Sequence, residues 1–123
     1  SAAAVAATAL PRFASAADDP FGGFTVGIQS YTFRKFDLEN ALKKTQEAGL
    51  KYAEFYRGHV PTDSNADNLK GIKKLCTDYG VTPIAFGVEK FTKNHDANKK
   101  LFDFGAALGV KYFSADPDPD SFD

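Results

Sequence analysis

Four groups of residues in this 123-residue sequence carry side chains able to do chemistry. They are Gln29, Tyr31 and Arg34; Glu54, Tyr56, Arg57 and His59; Glu89 and Lys90; and Ser114, Asp116 and Asp118. Each group closes an apolar stretch. Glu54 is the most informative, because it interrupts the run Tyr52-Ala53-Glu54-Phe55-Tyr56. A carboxylate in an apolar strand is costly to bury unless it is paired. It reads either as an acceptor for a substrate hydroxyl or as a carboxylate held by Arg57 or Arg34, with a purely structural ion pair as the alternative. Tyr31, Phe33, Phe55 and Tyr56 read as core or as an aromatic wall for a sugar-like ring.

The remaining polar residues carry weaker signals. His59 follows Gly58 in a loop of Gly, Pro, Thr and Asp. It reads as a solvated loop histidine, because a general acid/base or metal ligand needs partners that the sequence does not clearly supply. His95 reads as an exposed or capping residue at a helix start. Cys76 lies on an apolar helical stripe and reads as a buried, inert thiol. Asp116-Pro117-Asp118-Pro119-Asp120 alternates rigid turns with carboxylates. That run suits a cation or sugar hydroxyls, but it lacks the glycine of a calcium loop. Pro117 equally serves to stop a strand.

The elements that must position these groups repeat. Gly49-Leu50-Lys51-Tyr52, Gly80-Val81-Thr82-Pro83 and Gly109-Val110-Lys111-Tyr112 each lead from an amphipathic stretch into an apolar run. Such a glycine is the usual left-handed cap at a helix C-terminus, and a repeat of about 30 residues is one strand–helix unit. The helical stripes are Leu38, Ala41, Leu42, Thr45 and Ala48, capped by Asp37; Leu69, Ile72, Cys76 and Tyr79; and Ala97, Leu101, Phe104, Gly105 and Leu108, capped by Asn94 or Asp96. The lysines on the opposite faces read as solvated. The strand candidates are Phe24 to Tyr31, Tyr52 to Tyr56, Ile84 to Val88 and Tyr112 to Ala115. Helices between strands demand parallel, right-handed crossovers. Both a doubly wound sheet and a (β/α)8 barrel use this order. The first strand is followed by Thr32-Phe33-Arg34-Lys35, with no glycine-rich phosphate loop, which favours the barrel.

Composition bounds the reading. Hydrophobic residues make up 43% and charged residues 25%, which are ordinary values for a globular fold. A net charge of −1 gives the chain as a whole no electrostatic reason to seek nucleic acid or anionic lipid. One cysteine excludes an intramolecular disulfide or a multi-cysteine metal centre within the chain. The alanine-rich opening, SAAAVAATAL, fits the apolar core of an export signal and is too short to span a bilayer. Pro11 breaks it, and small-x-small cleavage sites around Ala16 put a mature start at Ala17 or Asp18. An alanine-rich first helix is the alternative. Because the chain contains no methionine and ends in an Asp-Pro run, we read it as a piece of a longer protein. Its domains are then 1–17, a truncated twin-arginine-like signal remnant; 18–23, a linker; and 24–123, four βα units. The implied location is periplasmic or secreted.

The segments GIQSYTFR (Gly27 to Arg34), AEFYRGHVP (Ala53 to Pro61), PIAFGV (Pro83 to Val88) and LGVKYFSADPDPDSFD (Leu108 to Asp123) resemble the exported sugar phosphate isomerase/epimerase-like proteins. These have a xylose isomerase-like TIM barrel. The resemblance implies the first half of a (β/α)8 barrel, acting on a small-molecule sugar or sugar derivative by proton transfer. It implies a divalent metal (Mn, Mg, Zn or Co) with ligands on later strands outside this chain, so no metal ligand is assigned here. The substrate-facing residues carried over are Gln29, Tyr31, Glu54, Tyr56, Glu89 and Asp116, and Arg57 joins them as an orienting group. Which residue would be catalytic is not assigned. Competing readings are an exported lyase or hydratase on keto-sugars and a non-catalytic sugar-binding barrel. The expected partners are a sugar and a homo-oligomer, with no nucleic acid and no membrane after signal cleavage. A half-barrel alone is expected to be inactive and to leave its first and fourth strands as open edges.

Overall fold

The computed structural model describes residues 20–122. The expected export signal, and the first two residues of the linker after it, lie outside the described residues. Strand β1 (Gly27–Gln29) runs into a 3-10 turn over Ser30–Phe33. Helix α1 (Leu38–Glu47), β2 (Tyr52–Phe55), α2 (Ala66–Asp78), β3 (Thr82–Phe91), α3 (His95–Leu108) and β4 (Tyr112–Pro117) follow in alternation.

All strand pairs are parallel, and their spatial order is β1-β2-β3-β4. A doubly wound sheet would reverse its strand order at a switch point. Sequential order with right-handed crossovers instead puts every helix on one face, which is how a barrel is built. Among the described residues no helix is long and apolar enough to cross a membrane.

The helices start and stop where local chemistry dictates. Asp37, Asn65 and Asn94 each accept a hydrogen bond from the backbone N–H three residues on, at 2.8, 2.9 and 3.0 Å. These side chains satisfy N–H groups that have no partner within the helix. Gly49, Gly80 and Gly109 close the three helices with φ of 75°, 66° and 91°. The next residue's N–H then bonds back to Thr45, Cys76 and Gly105, respectively. That closure needs a left-handed residue, so the glycine recurs with each unit.

The helix-facing side of the sheet is the core. Phe55 and Phe86 are fully buried, and Leu42, Val60, Leu69, Cys76, Val81, Phe104 and Leu108 pack with them. Phe86 meets Phe104 edge-on, with ring centroids 4.9 Å apart. Solvated lysines cover the outer faces of the helices, two of them in i,i+4 pairs with Asp78 and Asp103. Lys44 is an exception, half-buried over the Phe36 ring at 4.5 Å.

Three element boundaries differ from expectation. First, β1 is shorter, because Gln29 Oε1 accepts the Tyr31 N–H at 2.8 Å and turns the chain out of the sheet. Phe24, expected in the strand, is exposed. Second, β3 is longer and reaches Phe91 through a register shift between Gly87 and Glu89. Third, β4 runs two residues beyond the expected Ala115 and ends at Pro117, the proline read as its stop. The Asp118 N–H just beyond it still reaches the Phe91 carbonyl at 2.9 Å.

Cys76 is buried on α2, and burial pushes its thiol up to about 11. A thiol whose folded pKa is raised supports the fold fully below its unfolded value, near 9. That support is lost as pH rises towards 11. We expect unfolding stability to fall across this window by about 1–3 kcal/mol more in the wild type than in Cys76→Ala, as measured by urea titrations at each pH. The native thiol should also resist disulfide reagents at neutral pH.

Candidate functional site

The parallel register sets Gln29 opposite Glu54, Glu54 opposite Ala85, and Gly87 opposite Ser114. Alternation along each strand puts these residues on the face opposite the core. They form one hydrogen-bonded line at the C-terminal ends of the strands. Gln29 Nε2 donates to Glu54 Oε1 at 2.8 Å and to the Gly87 carbonyl at 2.9 Å. Ser114 Oγ donates to Glu54 Oε2 at 2.8 Å. Glu54 is half-buried, and both of its carboxylate oxygens are satisfied.

The expected grip of Arg57 or Arg34 on Glu54 is therefore corrected. Arg34 turns outward, its guanidinium 4.7 Å over the Tyr31 ring and bonded to the Tyr31 carbonyl. Arg57 lies in the loop after β2 and reaches Glu89. Its Nε donates to Glu89 Oε1 at 3.0 Å, and Nη2 to Oε2. Glu89 is not in a loop after β3 as expected, but within the lengthened strand and 1% exposed. The Glu89 hydrogen bond raises the Arg57 pKa above its ordinary value, against a smaller opposing effect of burial. The fork geometry makes this the strong form of a charged pair.

Asp116 does not join these residues. It is exposed and pairs with Lys90 at 2.9 Å, which also reaches Asp118 at 3.4 Å. Hydrogen bonding to Asp116, followed by its charge and that of Asp118, raises the Lys90 pKa.

Beside the polar line lies a cavity of about 320 Å³ lined by Gln29, Tyr31, Tyr56, Arg57, Gly87 and Val88. Tyr31 and Tyr56 meet edge-on at 5.2 Å between centroids. Other hollows open at the N-terminal ends of the strands, one lined by Tyr52, Pro83 and Tyr112 among others. In a barrel, chemistry belongs at the C-terminal ends. Of the residues expected to face substrate, Gln29, Tyr31, Tyr56 and Arg57 line this cavity. Glu54 is bonded to Gln29, and Glu89 acts only through Arg57.

Two features escaped sequence reasoning. The Gly87 carbonyl and the Val88 wall depend on where β3 shifts register, and no residue type announces that shift. His59, expected in solvent, is buried. The N–H groups of His59 and Val60 both bond to the Tyr56 carbonyl, which coils the loop and turns the imidazole inward. The apolar Val60 beside it in the sequence was the available signal, and it is buried too.

Among the described residues no group of three or more His, Cys, Asp or Glu side chains is placed to hold a metal ion. His95 is exposed at the start of α3, as expected.

No family model matches the sequence, and no curated protein matches it. Solved structures do. An uncharacterized protein from Parabacteroides distasonis superposes with a TM-score of 0.70 at 28% identity, over 77% of this chain and 44% of that one. D-psicose 3-epimerase, solved in the presence of D-fructose, superposes with a TM-score of 0.54 at 15% identity, over 72% of this chain and 36% of that one. The fold is a half TIM barrel. This half-barrel spans less than half the length of either solved chain.

Removing one partner of the Arg57–Glu89 pair would leave a buried, unpaired carboxylate. Because the Arg57 side chain is 63% exposed, solvent moderates the cost. Arg57→Ala should destabilise the protein by about 1–3 kcal/mol in denaturant titrations, and adding Glu89→Gln should recover part of that loss.

Proposed function

We propose that this half-barrel supplies the substrate-orienting rim of a sugar isomerase or epimerase. The observation that carries the reading is the Gln29–Glu54–Ser114 line beside a cavity walled by two tyrosines and an arginine. Each Glu54 carboxylate oxygen already has one donor and retains a free lone pair. It can therefore accept a sugar hydroxyl while Gln29 and Ser114 fix its direction. Arg57 uses only part of its donor fork on Glu89, so the rest can donate to a sugar oxygen. The faces of Tyr31 and Tyr56 suit the apolar C–H face of a ring. The fold shared with D-psicose 3-epimerase supports the class.

In this reaction class a proton leaves the carbon beside a carbonyl. It returns to the opposite face in an epimerisation or to the neighbouring carbon in an isomerisation. The residues here hold the substrate's hydroxyls in register for that transfer. We place the implied divalent ion (Mn, Mg, Zn or Co) outside this chain, because the described residues do not form a set that fits one. No step is assigned to it.

The intact protein that carries this chain should be assayed with divalent cations against aldoses, ketoses and 3-keto-glycosides. Product analysis separates isomers from elimination or hydration products. Turnover of an aldose or ketose is expected, with Glu54→Gln lowering kcat/KM by about tenfold or more and leaving the fold intact. Turnover of keto-glycosides alone would favour a lyase or hydratase. Sugar-induced thermal stabilisation without product would favour a binding barrel.

A further inference from the structure

The rim contains a buried group that this reading does not use. His59 is 5% exposed, and its Nδ1 is buried without a hydrogen-bond partner. Its Nε2 lies 3.0 Å from the Phe36 carbonyl oxygen. A carbonyl can only accept, so Nε2 carries the proton and Nδ1 the lone pair. Phe36 belongs to the loop between β1 and α1, and His59 to the loop between β2 and α2. This bond therefore joins two separate loops of the rim.

The same ring also supports the cavity wall. His59 packs edge-on against Tyr56, with centroids 4.8 Å apart, and Tyr56 packs edge-on against Tyr31. From the other side, a Cβ at Gly58 would stand 2.4 Å from the Tyr56 ring. The ring thus lies directly on the loop backbone, where only glycine leaves room for it. Tyr56 is caught between Gly58, His59 and Tyr31.

We infer that His59 is a positioning residue that ties the β1–α1 loop to the β2–α2 loop and so fixes the Tyr31–Tyr56 wall of the cavity. The clamp stands on geometry alone, whereas its effect on a sugar rests on the proposed function. Phenylalanine at 59 would fill the space but lose the donor. Glutamine keeps a donor of similar reach.

The test uses the intact protein, with D-fructose as the probe. Nitrogen-15 spectra of the wild type should show the Nε2-protonated tautomer of His59, and the Nδ1-protonated form would overturn the clamp. His59→Phe should speed amide exchange at Arg34 and Phe36, on the opposite loop, by about tenfold, and His59→Gln should restore it, as expected for one hydrogen bond gained or lost. Unchanged exchange in His59→Phe, or no rescue by His59→Gln, would overturn the clamp. D-fructose affinity should weaken by about tenfold in His59→Phe, appearing in KM more than in kcat, because the imidazole touches no substrate. A wild type that binds D-fructose and a His59→Phe variant that binds it equally well would overturn the link to the wall. A wild type that ignores D-fructose counts against the sugar reading, and amide exchange still decides the clamp.

Discussion

A carboxylate on the inner face of a parallel sheet must find donors, and Glu54 finds them on two other strands. Gln29 on β1 and Ser114 on β4 each give it one hydrogen bond. The Gln29 amide also holds the Gly87 carbonyl on β3 and accepts the Tyr31 N–H. One side chain thus ends its own strand, links three strands and aims a tyrosine at the cavity. Each of these bonds is modest alone, but leaving Glu54 without donors would cost more than any one of them contributes. The polar line therefore holds as a unit, and the rim residues inherit their positions from it.

Arg57–Glu89 solves the same problem differently. Glu89 is more deeply buried than Glu54, and its donor comes from a loop rather than from neighbouring strands. The pair anchors the loop after β2 to β3, while the Ser30 hydroxyl accepts the Tyr56 N–H at 3.2 Å on the other side. The β2–α2 loop is thus held by charge at Arg57, by a hydroxyl at Tyr56 and by an imidazole at His59. These three tethers reduce the ordering that a ligand would otherwise have to impose on the loop.

What was legible in the sequence was local. Helix caps at Asp37 and Asn94 and the glycine closures at 49, 80 and 109 act within a few residues, so their types and spacing reveal them. The helical stripes reveal the core for the same reason. Alternation implies parallel strands, and the missing glycine-rich loop after the first strand pointed to a barrel, and so to sequential order and to the end where chemistry collects. Glu54 was conspicuous as a lone carboxylate in an apolar run. Its partners were not legible, because Arg57 is near it in sequence while the pairing partner of Arg57 lies on another strand. His59 was misread because loop composition predicts exposure, whereas its burial depends on a coil around the Tyr56 carbonyl. Asp116 was grouped with the site because it ends a strand, yet Lys90 across the ladder claims it.

That Lys90–Asp116–Asp118 cluster bears on a hazard for any site that meets reducing sugars. An open-chain sugar carries a carbonyl that condenses with a neutral amine to give a Schiff base. Lys90 stands on the same strand as Gly87 and Val88, which line the cavity, and is exposed with two carboxylates beside it. Their pull further lowers the small fraction of free amine at neutral pH. A carbonyl compound arriving there meets an ammonium ion held between two carboxylates, not a free amine.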